Sequence, residues 1–151
     1  KFTSTDPYRI KVTGRTKHHI NVFGEELIIE NAEEGLKAAC MKTNATVKDY
    51  TVGPVFMNGN AQGAHEWIIE FEKAPDNLNF FTEMLDNHLK NCNSDYEAKR
   101  YNNMTLAMPK VHQARNGLFY DWLKTKGKLG GQHKVPRLSN KREFIDELLK
   151  L

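Results

Sequence analysis

Between Lys124 and Arg142 the chain carries seven basic residues (Lys124, Lys126, Lys128, Lys134, Arg137, Lys141 and Arg142) and no Asp or Glu. Gly127, Gly130 and Gly131 lie within the same stretch. Glycine lets backbone amides come close to a ligand, and free amides beside cations suit a phosphate or a carboxylate. The same composition also describes a solvated basic tail, or a nucleic-acid patch. A single-strand binder interleaves aromatics for base stacking, yet no Phe, Tyr or Trp lies between Leu123 and Glu143. Trp67 and Phe71 are the aromatics that an RNA-binding sheet would expose, and core packing is the simpler use for both.

Other chemistry is largely missing from the sequence. There is no Gly-x-Ser-x-Gly elbow and no phosphate loop ending in Gly-Lys-Ser/Thr. Six histidines are scattered without His-x-x-x-His spacing, and there is no Cys-x-x-Cys pair, so no metal site is expected. His18 and His19 are adjacent on an expected strand and point to opposite faces. Cys40 and Cys92 fall on the apolar stripes of two expected helices. They read as small buried hydrophobes rather than a disulfide framework, which suits a reducing cytoplasm.

A net charge of +3 over 151 residues, with 39% hydrophobic and 27% charged residues, describes an ordinary globular domain. No apolar run approaches the roughly 20 residues that span a bilayer. The start at Lys1-Phe2-Thr3, without an initiator Met, suggests a piece of something longer.

The elements that must position the basic stretch follow from periodicity. Strands are expected over 8–15 and 19–23, with bends at Gly14 and Gly24. Asn31 and Glu34 have capping-box spacing. Behind them Ala32, Leu36, Ala39, Cys40 and Thr43 recur at helical intervals, and Asn44 suits a left-handed exit. Strands over 47–56 and 65–72 join around Asn58-Gly59. In the second, Trp67, Ile69 and Phe71 alternate with Glu66, Ile68, Glu70 and Glu72, as in a strand with one wetter face. Pro75-Asp-Asn77 opens a helix that turns Phe81, Met84, Leu85, His88, Leu89 and Cys92 inward. A loop is expected over 93–103, a strand over 105–112, and a short helix near Asn116 that buries Phe119, Trp122 and Leu123. The last helix has Asn140 as its cap and buries Phe144, Ile145, Leu148 and Leu149. This order predicts one α+β domain, a mostly antiparallel sheet flanked by helices.

Two segments carry a resemblance. Gly14-Arg-Thr-Lys-His-His-Ile-Asn-Val-Phe-Gly24 resembles the hinge motif of the acyl-adenylate-forming superfamily, with Gly14, Arg15, Lys17, Ile20 and Gly24 in register. Asn116-Gly-Leu-Phe119 and Gly130-Gly-Gln-His-Lys-Val-Pro-Arg137 resemble the ending of the auxin-responsive acyl acid amido synthetases. Pro7 stands the family's distance before Arg15. The order of elements matches over nearly the whole chain, and the sharp motifs cover about a quarter of it.

The resemblance implies a C-terminal lid domain whose large N-terminal partner, binding ATP (with Mg2+) and a carboxylic acid, is not in this chain. It implies adenylation of the acid, then attack by an amine such as that of an amino acid. Lys134 corresponds to the mobile lysine that meets the α-phosphate. Arg137 either supports that phosphate or braces the loop, Arg15 lies beside ribose and phosphate, and Lys17 holds the hinge position. The superfamily's usual lysine after a glycine is replaced here, since Gly117 is followed by Leu118. Of the basic residues on the strand after Pro7, Arg9 or Lys11 is left for another expected lysine. An acid:coenzyme A ligase lid and a stand-alone nucleic-acid or nucleotide-binding module are the other readings; no membrane partner is expected.

Overall fold

A computed structural model of the chain describes residues 2–10, 18–131 and 133–151. A hairpin of β1 (Phe2–Thr5) and β2 (Tyr8–Ile10) opens it, followed by a short antiparallel pair, β3 (His19–Ile20) and β4 (Leu27–Ile28). Helix α1 (Ile29–Thr43) leads into β5 (Thr46–Val55), which turns at Asn58–Ala61 into β6 (Ala64–Lys73). Gly59 has φ +59° in that turn, a region that favours glycine. Helices α2 (Leu78–Cys92) and α3 (Ser94–Arg100) precede β7 (Lys110–Ala114), and α4 (Leu118–Thr125) and α5 (Glu143–Leu148) close the chain.

The main sheet runs β5-β6-β7, antiparallel between β5 and β6 and parallel between β6 and β7. The fold is α+β, with mainly antiparallel pairings, as the element order predicts. Strand β6 is central and buried on both faces from Ala64 to Phe71. The expected wet face is therefore a correction. Glu66, Ile68 and Glu70 are all buried, because α4, α5 and the C-terminal tail cover them, and of that face only Glu72 near the strand's end is exposed.

Trp67, Ile69 and Phe71 pack on the opposite face with Ala32, Leu36 and Ala39 of α1 and Phe81, Leu85 and Leu89 of α2. Phe71 and Phe81 meet edge to face at 5.2 Å between centroids, a favourable aromatic geometry. Gly35 permits the close approach of α1 to α2, since a Cβ there would lie 2.9 Å from Leu85 Cδ1. Asn77 caps α2 by accepting from Phe80 N at 3.0 Å, and Asn44 leaves α1 at φ +53°, both as expected.

Several boundaries differ from the sequence expectation. α1 starts at Ile29, so Asn31 is inside it and its Oδ1 reaches back to Ile28 N at 3.3 Å. The expected loop after Cys92 begins instead with α3, because Asn93 accepts from Tyr96 N at 2.9 Å and Tyr96 finds a buried place beside Asp86. The expected strand over 105–112 is displaced: Leu106 makes one isolated bridge to Gly63, and β7 starts at Lys110. Asn140 does not cap α5, and Leu149 stays half exposed.

Candidate functional site

The end of the basic stretch is strapped to the open edge of β5. Val52 N donates to Arg137 O (2.8 Å), Ser139 N donates to Val52 O (3.0 Å), and Val52 and Leu138 form a parallel bridge. Thr51 Oγ1 donates to Pro136 O at 2.6 Å. Val135 is buried with the α4–α5 cluster and Leu138 with the α1–α2 cluster, so the strap is anchored on both faces of the sheet.

Arg137 is committed within this strap. Its Nη1 donates to Asp49 Oδ1 at 2.6 Å and to Tyr50 O at 3.4 Å. The guanidinium lies 4.5 Å from the centroid of the Tyr50 ring, within cation–π range. Tyr50 is itself buried and stacks on Trp67. Arg137 thus braces the loop against β5. Lys134, one residue before buried Val135, is exposed and makes no ion pair among the described residues. Before it, Gly130 and Gly131 adopt φ +90° and +72°, conformations that a side chain would strain. A cation on a glycine-rich arm, next to a fixed anchor, can be offered to an anion from outside.

Arg15, Lys17 and Gly14 fall outside the described residues. The residues just after them are firmly tied to the strap. Asn140 Nδ2 donates to His19 O at 2.9 Å, and Asn140 Oδ1 accepts from Asn21 N at 2.8 Å. Hence the described end of the first segment that carries the resemblance lies against Asn140, three residues past the second. Gly24 follows with φ +82°. Glu25 then enters the interior, where its carboxylate accepts from Phe23 N at 2.7 Å and pairs with His65 Nε2 at 2.8 Å, both side chains fully buried. Burial pushes the Glu25 carboxyl up, but the bonds to His65 and to backbone amides outweigh it and hold it below its ordinary value.

Residues that sequence reasoning missed hold the other side together. Glu66 accepts from Arg142 Nη1 at 2.7 Å and pairs with His112 Nε2 at 2.7 Å. Burial again raises this carboxyl, and the Arg142 and His112 bonds more than offset it, so it titrates below its ordinary value. Glu70 accepts from Gly117 N at 2.8 Å, which pins the entry to α4, and from Lys48 Nζ at 3.0 Å. The available signal was two acids on a central strand, which require partners once both faces are covered.

These features describe an α+β domain with a basic, glycine-rich arm fixed at a sheet edge, tied through Asn140 to His19 and Asn21. A family model described as the GH3 family C-terminal domain matches residues 30–143, and the chain belongs to the GH3 family. Two solved structures share the fold. One, "GH3.15 acyl acid amido synthetase", superposes with a TM-score of 0.72 at 15% identity, over 91% of this chain and 26% of that chain. The other, "AtGH3.15 acyl acid amido synthetase in complex with 2,4-DB", gives 0.71 with the same identity and coverage. The chain thus spans about a quarter of the length of those proteins. No curated protein matches it. Among the described residues, no helix is long and apolar enough to cross a membrane.

Proposed function

We propose that this chain is the closing domain of an ATP-dependent acyl acid amido synthetase, acting with an N-terminal domain that holds ATP and a carboxylic acid. The observation that supports it most is the pairing of a GH3 C-terminal domain match over 30–143 with an exposed Lys134 on a braced basic strap. ATP and the acid are substrates: the carboxylate attacks the α-phosphate, pyrophosphate leaves, and an amine then displaces AMP to give an amide.

Lys134 meets the α-phosphate while charge builds there, where a positioned cation supplies several kcal/mol. Arg137 holds the strap so that Lys134 arrives in one place, and Arg15 lies near ribose and phosphate. Lys17 marks the hinge about which the domain reorients between the two half-reactions. The segment 124–142 fits an anionic nucleotide, having cations, glycine amides and no acid. It has no carboxylate to hold Mg2+, so that ion is assigned to the N-terminal domain with ATP. A cytoplasmic setting suits these substrates.

The nucleic-acid reading is weaker, since Trp67 and Phe71 are buried and offer no stacking platform. The test is acid-dependent ATP–pyrophosphate exchange by the full-length polypeptide across pooled carboxylic acids, followed by mass detection of amides formed with pooled amino acids. Exchange with amide formation supports the reading. Exchange that ends in a thioester with coenzyme A moves the protein to the acid:coenzyme A ligases. Salt-sensitive RNA binding without exchange favours the binding module.

A further inference from the structure

The packing of α1 on α2 assembles three side chains that the proposed reaction does not use. His88 and Cys92 are four residues apart on α2, so they share a face at its C-terminal end, and Glu34 of α1 lies opposite. The carboxylate oxygen of Glu34, a ring nitrogen of His88 and Cys92 Sγ all lie within 4.8 Å of one another. His88 Nε2 is 4.0 Å from Glu34 Oε2, too far for a hydrogen bond.

A second observation concerns His88 alone. Its side chain is 34% exposed, yet Nε2 is sealed from solvent and has no hydrogen-bond partner. A buried nitrogen left unsatisfied is unfavourable, and a metal ion is one partner that would satisfy it. Cys92 Sγ is approached by Asn31 Nδ2 at 3.7 Å and lies 3.7 Å from Leu89 O, outer contacts that orient the sulfur. Cys92 also ends α2, where the helix dipole favours a cation.

We propose that Glu34, His88 and Cys92 form a divalent-metal site, with Zn2+ as its occupant. Imidazole, thiolate and carboxylate together suit zinc and exclude Mg2+ and Ca2+, which take oxygen ligands. Tetrahedral zinc holds such donor atoms about 3.3–3.8 Å apart, so these atoms, within 4.8 Å of one another, draw together on binding. Glu34 is largely exposed, which leaves a fourth position for water. On binding, the Cys92 thiol proton passes to solvent as the sulfur–zinc bond forms, with no change in oxidation state. The ion joins the two helices that form the main core. The site stands whether or not the proposed synthetase activity does.

The test is Co2+ titration of the full chain, followed by absorption. The expected result is a thiolate-to-cobalt charge-transfer band that saturates at one equivalent and is competed away by Zn2+. The band should vanish in Cys92→Ser and persist in Cys40→Ser. Affinity should fall more than about 100-fold in His88→Gln, beyond the loss of an outer-shell partner. Zinc-edge X-ray absorption of the unsubstituted protein provides a check free of folding defects, with one sulfur and the remaining ligands nitrogen or oxygen. No band, a band that survives Cys92→Ser or disappears with Cys40→Ser, an affinity unmoved by His88→Gln, or a zinc spectrum without sulfur each overturns the site.

Discussion

The two faces of β6 are closed by different means. Toward α1 and α2 the strand presents Trp67, Ile69 and Phe71 to a continuous apolar cluster. Toward α4 and α5 it presents Ile68 between Glu66 and Glu70, and those acids hold Arg142, His112, Lys48 and the Gly117 amide. The apolar face draws its stability from buried area. The other combines a smaller apolar cluster around Ile68, Phe119, Trp122 and Ile145 with ion pairs whose carboxylates are buried and whose cations are partly exposed, so salt weakens it more. The strap bearing Lys134 is anchored to both, through Leu138 on the apolar side and Val135 on the ionic side.

The protein's two tryptophans report one face each, Trp67 under α1 and α2 and Trp122 with α4 and α5. The largest expected effect is on the apolar side. Phe81→Ala should cost about 3–5 kcal/mol, measured by urea unfolding, with little dependence on salt. A loss below about 1 kcal/mol would mean that α2 is loosely packed. Gly53→Ala probes the other side, since a Cβ there would lie 2.7 Å from Ile145 Cγ1 and 3.4 Å from Lys141 O. Displacing α5 should cost about 1–3 kcal/mol and shift Trp122 fluorescence before that of Trp67.

Acid should act on both faces. Asp86 lies under Arg100, with Nε to Oδ1 at 2.7 Å and Nη2 to Oδ2 at 2.8 Å, and it also accepts from Tyr96 Oη at 2.7 Å. Burial raises this carboxyl, but the Arg100 and Tyr96 bonds win and hold it below its ordinary 3.8. Glu25 and Glu66 are likewise held below 4.5. A carboxyl depressed in the folded state contributes its stability above the unfolded value and loses it as pH falls through the folded value. Thermal midpoints should therefore be steady near neutrality and drop below about pH 4. In Glu66→Gln the drop read by Trp122 should be shallower, with the Trp67 signal unchanged. Equal changes in the two signals would show that the faces melt as one unit.

The smallest structural effect belongs to the strap. Arg137→Ala removes a partly exposed ion pair and a ring contact, so a loss of about 1 kcal/mol is expected. Raising the salt concentration should mimic part of that loss in the unsubstituted protein.

Much of this organisation was legible in the sequence. Helical spacing located α1, α2 and α4, Asn77 and Asn44 marked true boundaries, and the alternation around Trp67 placed the core strand. The burial of Glu66 and Glu70 was not legible, because alternation shows which side chains share a face and not what covers it. That cover comes from α4 and α5, far along the chain. Asn140 misled for a related reason: its capping geometry was sound locally, but it found partners at His19 and Asn21 instead. Arg137 was open between phosphate and brace, and its contacts with Asp49 and Tyr50 could not be read from spacing. The approach of Glu34 to His88 and Cys92 crosses two helices, which no single-motif spacing records.

In the proposed reaction Lys134 acts on substrate and Arg137 positions it. The measurement that tests it most directly is acid-dependent ATP–pyrophosphate exchange by the full-length polypeptide carrying Lys134→Ala, at matched folded fraction. The account predicts a fall of roughly 100-fold or more, with stability within about 0.5 kcal/mol of the unsubstituted protein. Exchange at the original rate in Lys134→Ala would contradict it.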